Sequence, residues 1–193
     1  MRLDPRSPFV INTHDLGRRP GSMQTMELTL PAPTDLGIEL LGVPEGSPVE
    51  LDLRLEAVME GVLASGRAWV TLTGECARCL EPIEDDLEVE LQELFVYPES
   101  EAEEDEASRL DGEFLDLEPV LRDSVVLALP FQPVCQPDCE GLCSECGVRL
   151  IEHPGHAHEE SIDPRWASLS TMTTTASPRD ETGRANATGE DEE

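Results

Sequence analysis

The sequence predicts an α+β protein: a β-rich antiparallel meander that carries one main helix and a small Cys/His-rich, knuckle- or ribbon-like part on its C-terminal side. Three observations predict it. Apolar and polar side chains alternate over long stretches between Val49 and Tyr97, a single helical pattern follows an acidic break, and six cysteines come in close pairs around these elements.

Residues 1–26 hold Arg2, Arg6, Arg18 and Arg19 against Asp4 and Asp15, so they form a basic segment, with Phe9-Val10-Ile11 as a short strand. A β-rich domain is expected over residues 27–134. Leu51, Leu53, Leu55, Ala57 and Met59 share one face while Asp52, Arg54, Glu56 and Glu60 lie mostly on the other, the period of two of a half-buried strand. Gly61 marks a turn. Val62, Ala64, Ala68, Val70 and Leu72 repeat the pattern, and Ile83, Leu87, Val89, Leu91, Phe95 and Tyr97 give a third strand of unusual length. From Pro98 to Glu118 there are ten acids and one arginine, which reads as a solvated acidic loop, 98–118. A helix is expected over 117–129: Asp116 is a candidate N-cap, Pro119 suits the first turn, Leu117, Val120, Leu121, Val125 and Ala128 share a face, and Pro130 ends it. Residues 135–169 are the Cys/His part packed on this domain, closing with a short capped helix over Asp163–Leu169. The remainder, 170–193, holds Thr, Ser, Ala, Gly and acids with Met172 as its one large apolar group, and is expected to be a disordered acidic tail.

Charge narrows the function. The 42 acids face 13 basic residues, every one an arginine, for a formal charge of -29. Such a surface repels polyphosphate, so wholesale wrapping of naked nucleic acid is excluded and basic partners are favoured. The longest uncharged apolar run, Val125 to Phe131, is too short to span a bilayer, and Met1-Arg2-Leu3-Asp4-Pro5 lacks a signal peptide's apolar stretch, so a cytoplasmic protein without a membrane role is expected. No phosphate loop, HExxH or GxSxG occurs, no small-molecule substrate is evident, and no catalytic residue is assigned. Trp69 and Trp166 are read as core packing rather than base-stacking platforms.

In a reducing compartment the cysteines are thiols or metal ligands. Cys76-Ala77-Arg78-Cys79 falls between the second and third strands, so both thiols project from a hairpin turn in knuckle fashion. Cys135 and Cys139 follow the helix, then Cys143-Ser144-Glu145-Cys146-Gly147, then His156 and His158. Eight donors make two four-coordinate sites, which calls for two Zn²⁺ ions and a zinc-knuckle or ribbon-like C-terminal part. In one pairing Cys135, Cys139, Cys143 and Cys146 form an all-thiolate site and leave Cys76 and Cys79 with the histidines or as free thiols. The favoured pairing joins Cys76 and Cys79 to Cys135 and Cys139, and Cys143 and Cys146 to His156 and His158, because four ligands within twelve residues leave little chain for the turns between them. A thioredoxin-like pair would need a helix after Cys76, which Leu80-Glu81-Pro82 forestalls. His14 is expected to be merely exposed.

Glu75-Cys76-Ala77-Arg78-Cys79-Leu80-Glu81-Pro82, Leu127-Ala128-Leu129-Pro130 leading to Pro133-Val134-Cys135, Gly141-Leu142-Cys143-Ser144-Glu145-Cys146-Gly147 and Asp163-Pro164-Arg165-Trp166-Ala167-Ser168-Leu169, in that order, resemble the YceD family over roughly residues 8–169. The resemblance implies a role in accumulation or processing of large-subunit ribosomal RNA. Some members carry cysteines where this chain has His156 and His158, a swap that keeps zinc chemistry. The expectation is a non-enzymatic ribosome-biogenesis factor, zinc-stabilised, whose partner is a large-subunit ribosomal protein or precursor particle, with ribosomal RNA met indirectly. Arg18 and Arg19 are the candidate partner-binding residues of the basic segment. The alternative is a zinc-dependent redox sensor or chaperone-like binding protein.

Overall fold

The computed structural model describes residues 3–100, 108–158 and 165. Its strands are β1 (Val10–Asn12), β2 (Met23–Pro31), β3 (Leu36–Ile38), β4 (Leu41–Val43), β5 (Pro48–Ala57), β6 (Gly61–Glu75), β7 (Pro82–Val96) and β8 (Phe114–Asp116), followed by helix α1 (Glu118–Ala128) and a 3-10 turn, Leu150–Glu152. Contacts divide the chain into residues 1–154 and 155–193, and all of these elements belong to the first unit. None of the described helices is long and apolar enough to cross a membrane.

The expected meander is present as β5-β6-β7, antiparallel throughout. Burial follows the alternation: Val49, Leu51, Leu53, Leu55 and Ala57 are buried while Glu50, Asp52 and Arg54 are exposed. Met59, read as the end of the first strand, lies beyond it in the turn and is 86% exposed. The sheet is larger than the alternation revealed. Strand β2 pairs with β5 along its whole length, and the β3–β4 hairpin joins β6 where Leu41 and Gly42 face Gly74 and Thr73. The open edge of β2 explains why it reads weakly, since no residue in it is fully buried.

Strand β6 is flanked on both sides, and its glycines permit this. A Cβ on Gly66 would lie 2.0 Å from the carbonyl oxygen of Asp52, and one on Gly74 would lie 2.1 Å from that of Leu40. These are close backbone approaches that a side chain would block.

Helix α1 covers the apolar face, with Leu121 and Val125 fully buried and its contacts directed to β7 and β3. Its N-cap is Leu117 rather than Asp116, whose Oδ1 instead accepts the N–H of Glu118 at 3.0 Å. Arg122 fastens the helix to the loop before β3 by donating to Thr34 O at 2.9 Å and to Asp35 O. The stretch read as an acidic loop is only partly one: Leu110, Leu115 and Leu117 are buried and β8 pairs with β1. Phe9 and Leu16 join the same core, so the basic segment contributes packing as well as charge. Its partner there is β8, a hundred residues away, which local patterning does not reveal. Trp69 is not a core residue; it stands on the outer face of the sheet, half-buried. The expected helix over 163–169 and the tail lie outside the described residues except for Arg165, as do 101–107 of the acidic run.

Replacing Gly66 by Ala should therefore destabilise the protein by roughly 2 kcal/mol or more. Gly46→Ala, where a Cβ meets nothing within 4 Å at φ 76°, should cost only about 1 kcal/mol. Thermal or urea unfolding of the two variants checks the order.

Candidate metal centre

The first pair of thiols sits at the tip of the β6–β7 hairpin. Glu75 pairs with Pro82, so residues 76–81 close the loop between the two strands. Inside it Cys76 N–H donates to Glu81 O at 2.8 Å and Leu80 N–H to Cys76 O at 3.0 Å, and Leu80 takes a left-handed conformation, φ 58°. Arg78 N–H points at Cys76 Sγ, 3.4 Å away. The same backbone design recurs at the second tight pair. Cys143 N–H donates to Val148 O at 2.8 Å, Gly147 N–H to Cys143 O at 2.8 Å, and Gly147 has φ 73°. Both Cys-x-x-Cys segments are thus turns of one kind, with the left-handed position filled by a leucine in the first and a glycine in the second.

The segment after α1 is laid against the hairpin tip. Ala77 N–H donates to Pro133 O at 2.8 Å, Arg78 Nη1 donates to Cys139 O at 2.9 Å, and Cys139 N–H caps a turn on Gln136 O at 3.1 Å. Gly141 passes so close that a Cβ would sit 3.1 Å from Arg78 O. These contacts bring four sulfurs together within 4.8 Å: Cys76, Cys79, Cys135 and Cys139. Cys76 Sγ is 3.8 Å from Cys139 Sγ, and Cys79 Sγ is 3.5 Å from Cys135 Sγ. A disulfide would bring two sulfurs to about 2.0 Å. Four sulfurs at about 2.3 Å from a central zinc stand about 3.8 Å apart at the corners of a tetrahedron. The spacing is that of a tetrahedral thiolate cage, and the group is able to hold a metal ion.

Cys76, Cys79 and Cys139 are buried beneath Ile83, Val134 and Leu142, while Cys135 stands exposed at the rim. Burial by itself would raise the Cys76 thiol, but N–H groups of Cys135, Arg78 and Cys79 and the Cys79 thiol all point at its sulfur and bring it down to about 6. Cys135, whose thiol hydrogen-bonds Cys79, is pushed up to about 12, and burial pushes Cys139 up as well. One lowered thiol beside raised ones is a set that a metal ion would hold deprotonated together.

The remaining predicted ligands are two thiols and two imidazoles. Cys143 is half-buried and Cys146 exposed in the second turn. In the second unit the Nε2 atoms of His156 and His158 face each other at 2.9 Å, with the rings edge-on at 85°. Two ring nitrogens so placed share a proton or converge on one cation. Arg149 ties the first turn to the second, pairing with Glu81 of the hairpin loop and with Glu152 at 3.4 Å. Neither this arginine nor Arg78 was legible as part of the site, because both act through backbone or carboxylate contacts made only after the chain folds.

His14 is exposed and pairs with Glu113 at 2.9 Å. Of the candidate partner-binding residues, Arg18 lies 4.7 Å above the Tyr97 ring and 3.3 Å from Glu99, while Arg19 is exposed.

The shared turn geometry carries its own prediction. A leucine in the left-handed region costs roughly 1–2 kcal/mol, so Leu80→Gly should leave the site intact and raise stability by up to about 1 kcal/mol, net of the freedom glycine regains when unfolded. Gly147→Ala should lower stability by a similar amount, and thermal unfolding measures both.

Comparison with known proteins gives the turns a context. The profile of the family described as Large ribosomal RNA subunit accumulation protein YceD matches residues 64–173, which include every predicted ligand. An uncharacterized protein of Mycobacterium tuberculosis (strain CDC 1551 / Oshkosh) is 49% identical over 170 residues, 86% of this chain and 82% of its own length. One of Mycobacterium leprae (strain TN) is 42% identical over 170 residues, 86% of this chain and 78% of its own. The uncharacterized protein YlbN of Bacillus subtilis (strain 168) is 25% identical over 105 residues, 51% of this chain and 61% of its own. No solved structure matches the chain significantly. With more than half of its length matched by the family profile, hairpin tip and second turn included, the chain belongs to the YceD family of large ribosomal RNA subunit accumulation proteins.

Proposed function

We propose that the protein is a cytoplasmic, non-enzymatic ribosome-biogenesis factor that supports accumulation of large-subunit ribosomal RNA and is braced by two zinc ions. Cys76, Cys79, Cys135 and Cys139 hold the first ion; Cys143, Cys146, His156 and His158 hold the second. The observation that carries this reading is the convergence of four thiols at the hairpin tip, inside the segment matched by the family. Soft thiolates at tetrahedral spacing select zinc over hard cations. A zinc with four protein ligands has no open position for an activated water, which supports a structural rather than a catalytic ion.

The partner follows from charge. With a formal -29, the chain is drawn to basic ribosomal proteins or to a precursor particle that displays them, and away from naked RNA. The engagement of Arg18 with Tyr97 and Glu99 further weakens the basic segment as an RNA-binding patch.

Elemental analysis of the reduced protein should return close to two zinc ions per chain. Cys76→Ser should lose one of them, with about 3 kcal/mol of stability and roughly 10 °C in melting temperature. Cys143→Ser should lose the other. A protein that carries no zinc, or a Cys76→Ser variant that keeps both ions, would remove the first site from this account.

Zinc uptake should release protons, because Cys135, held up by its hydrogen bond to Cys79, and Cys139, held up by burial, must lose theirs. Affinity should therefore climb as pH rises from 6 to 8 and fall away in acid, which a zinc-chelator competition titration reads directly. In sucrose gradients the protein should co-migrate with large-subunit precursor particles and leave them as salt rises, and cells lacking it should accumulate fewer large subunits. Tight binding to naked large-subunit RNA, with no affinity for particles or ribosomal proteins, would overturn the reading.

A further inference from the structure

The face of the sheet opposite α1 is organised around Trp69. Three open depressions meet at this indole: two of about 450 Å³ and one of about 260 Å³. Their walls come only from β2, β5, β6 and β7, so none of the described loops or the helix lines them. The register sets what surrounds the ring. Glu50 of β5 stands directly opposite Trp69 on one side and Glu88 of β7 on the other, so two carboxylates flank the indole across the strands. Asp86 and Glu90 continue the row along β7, and Asp52 and Glu27 continue it across β5 and β2.

This arrangement does not favour the isolated protein. Glu27 and Asp52 are directly opposed on neighbouring strands, a like-charge pair that costs stability. The basic side chains present, Arg54 and Arg67, are exposed and pair at 2.9 Å with Glu56 and at 3.1 Å with Glu88, contacts of the kind an incoming cation displaces at little cost. A half-exposed indole between two carboxylates is a receptor for a cation, since the ring face and both acids attract positive charge. Spacing selects the ligand further. Alternate residues of a strand lie about 6.8 Å apart on one face, so an extended segment running along the sheet would set every second side chain beside successive acids of β7.

We propose that this outer face is the docking surface for an extended arginine- or lysine-rich segment of a protein partner, with one cationic side chain seated over Trp69 between Glu50 and Glu88. The proposal deepens the functional reading above and rests on it for the class of partner. Nucleic acid is disfavoured because its phosphates would meet the same acids.

The test is a calorimetric titration of the zinc-loaded full-length chain with a synthetic nine-residue peptide, arginine at alternate positions and serine between. Binding that weakens with salt is expected. The isosteric double variant Glu50→Gln/Glu88→Gln should weaken it about tenfold, and Trp69→Leu by a comparable factor. Glu45→Gln/Glu140→Gln, which removes the same charge from exposed positions off this face, should change it less than about twofold. If Trp69→Leu fails to fold, the glutamine pair decides alone. No binding to the wild-type chain, equal loss in both double variants, or displacement of the peptide by an oligouridylate would overturn the proposal. The same variants are then run against precursor particles. Peptide binding that depends on Glu50 and Glu88 without particle association would leave this surface standing and sink the biogenesis reading. Particle association indifferent to the glutamine pair would sink the surface instead.

Discussion

Four sulfurs at the end of one long hairpin form the constraint on which the rest of this structure depends. Strands β6 and β7 run 15 residues each, and beyond Trp69, where pairing with β5 ends, β6 has only the short β4 beside it on that side. A hairpin end so lightly flanked would fray, because few apolar contacts hold it. Here Cys76 and Cys79 meet Cys135 and Cys139 with sulfur spacings of 3.5 and 3.8 Å, and the tip is fastened to chain that has already crossed the sheet as α1. The connection from Leu129 to Pro133 is therefore directed. It leaves the helix in an extended conformation and buries Pro133 beside the hairpin loop, which presents Ala77 N–H to its carbonyl.

The second consequence is sidedness. With α1 held on one face by its own apolar stripe and its outgoing chain held at the tip, Leu51, Leu53, Leu55, Val70 and Leu91 are sealed away from water. Period-two geometry then obliges the intervening residues to face outward, and these set Glu27, Glu50, Asp52, Asp86, Glu88 and Glu90 around the indole of Trp69. The protein thus separates its tasks in space. Packing occupies one face, charge the other, and thiol chemistry the end of the sheet.

The two Cys-x-x-Cys turns show how little local sequence such a site requires. Each needs two thiols, a residue able to accept a left-handed backbone, and two backbone hydrogen bonds; the residues between them differ completely. The chain meets the left-handed demand with glycine at position 147 and tolerates leucine at position 80, where the surrounding contacts of Arg78, Gly141 and Pro133 hold the loop in place. Arg149, bonded to Glu81 and Glu152, extends that support from one turn to the other.

What could be read without coordinates was whatever depends on neighbours in sequence. Alternation revealed β5, β6 and β7 because each buries one face of a wide sheet; the spacing of Leu117, Leu121 and Val125 revealed α1; and paired cysteines announced a metal-binding chemistry. The sequence spacing also favoured Cys76 and Cys79 meeting Cys135 and Cys139, and the fold brings those four together. Tertiary structure alone decided the rest. Strand β2 is an edge with no fully buried residue, β1 and β8 are three residues each and find one another across a hundred residues, and Leu110 and Leu115 vanish into the core from a stretch whose acids suggested a solvated loop. Trp69 is the sharpest case. Its size argues for burial, but its parity along β6 assigns it to the face that the helix does not cover, and which face that is depends on a helix docking some fifty residues later in the chain. Short-range sequence sets periodicity and chemistry; which face is buried and which thiols meet is fixed by contacts that form only once distant segments pack.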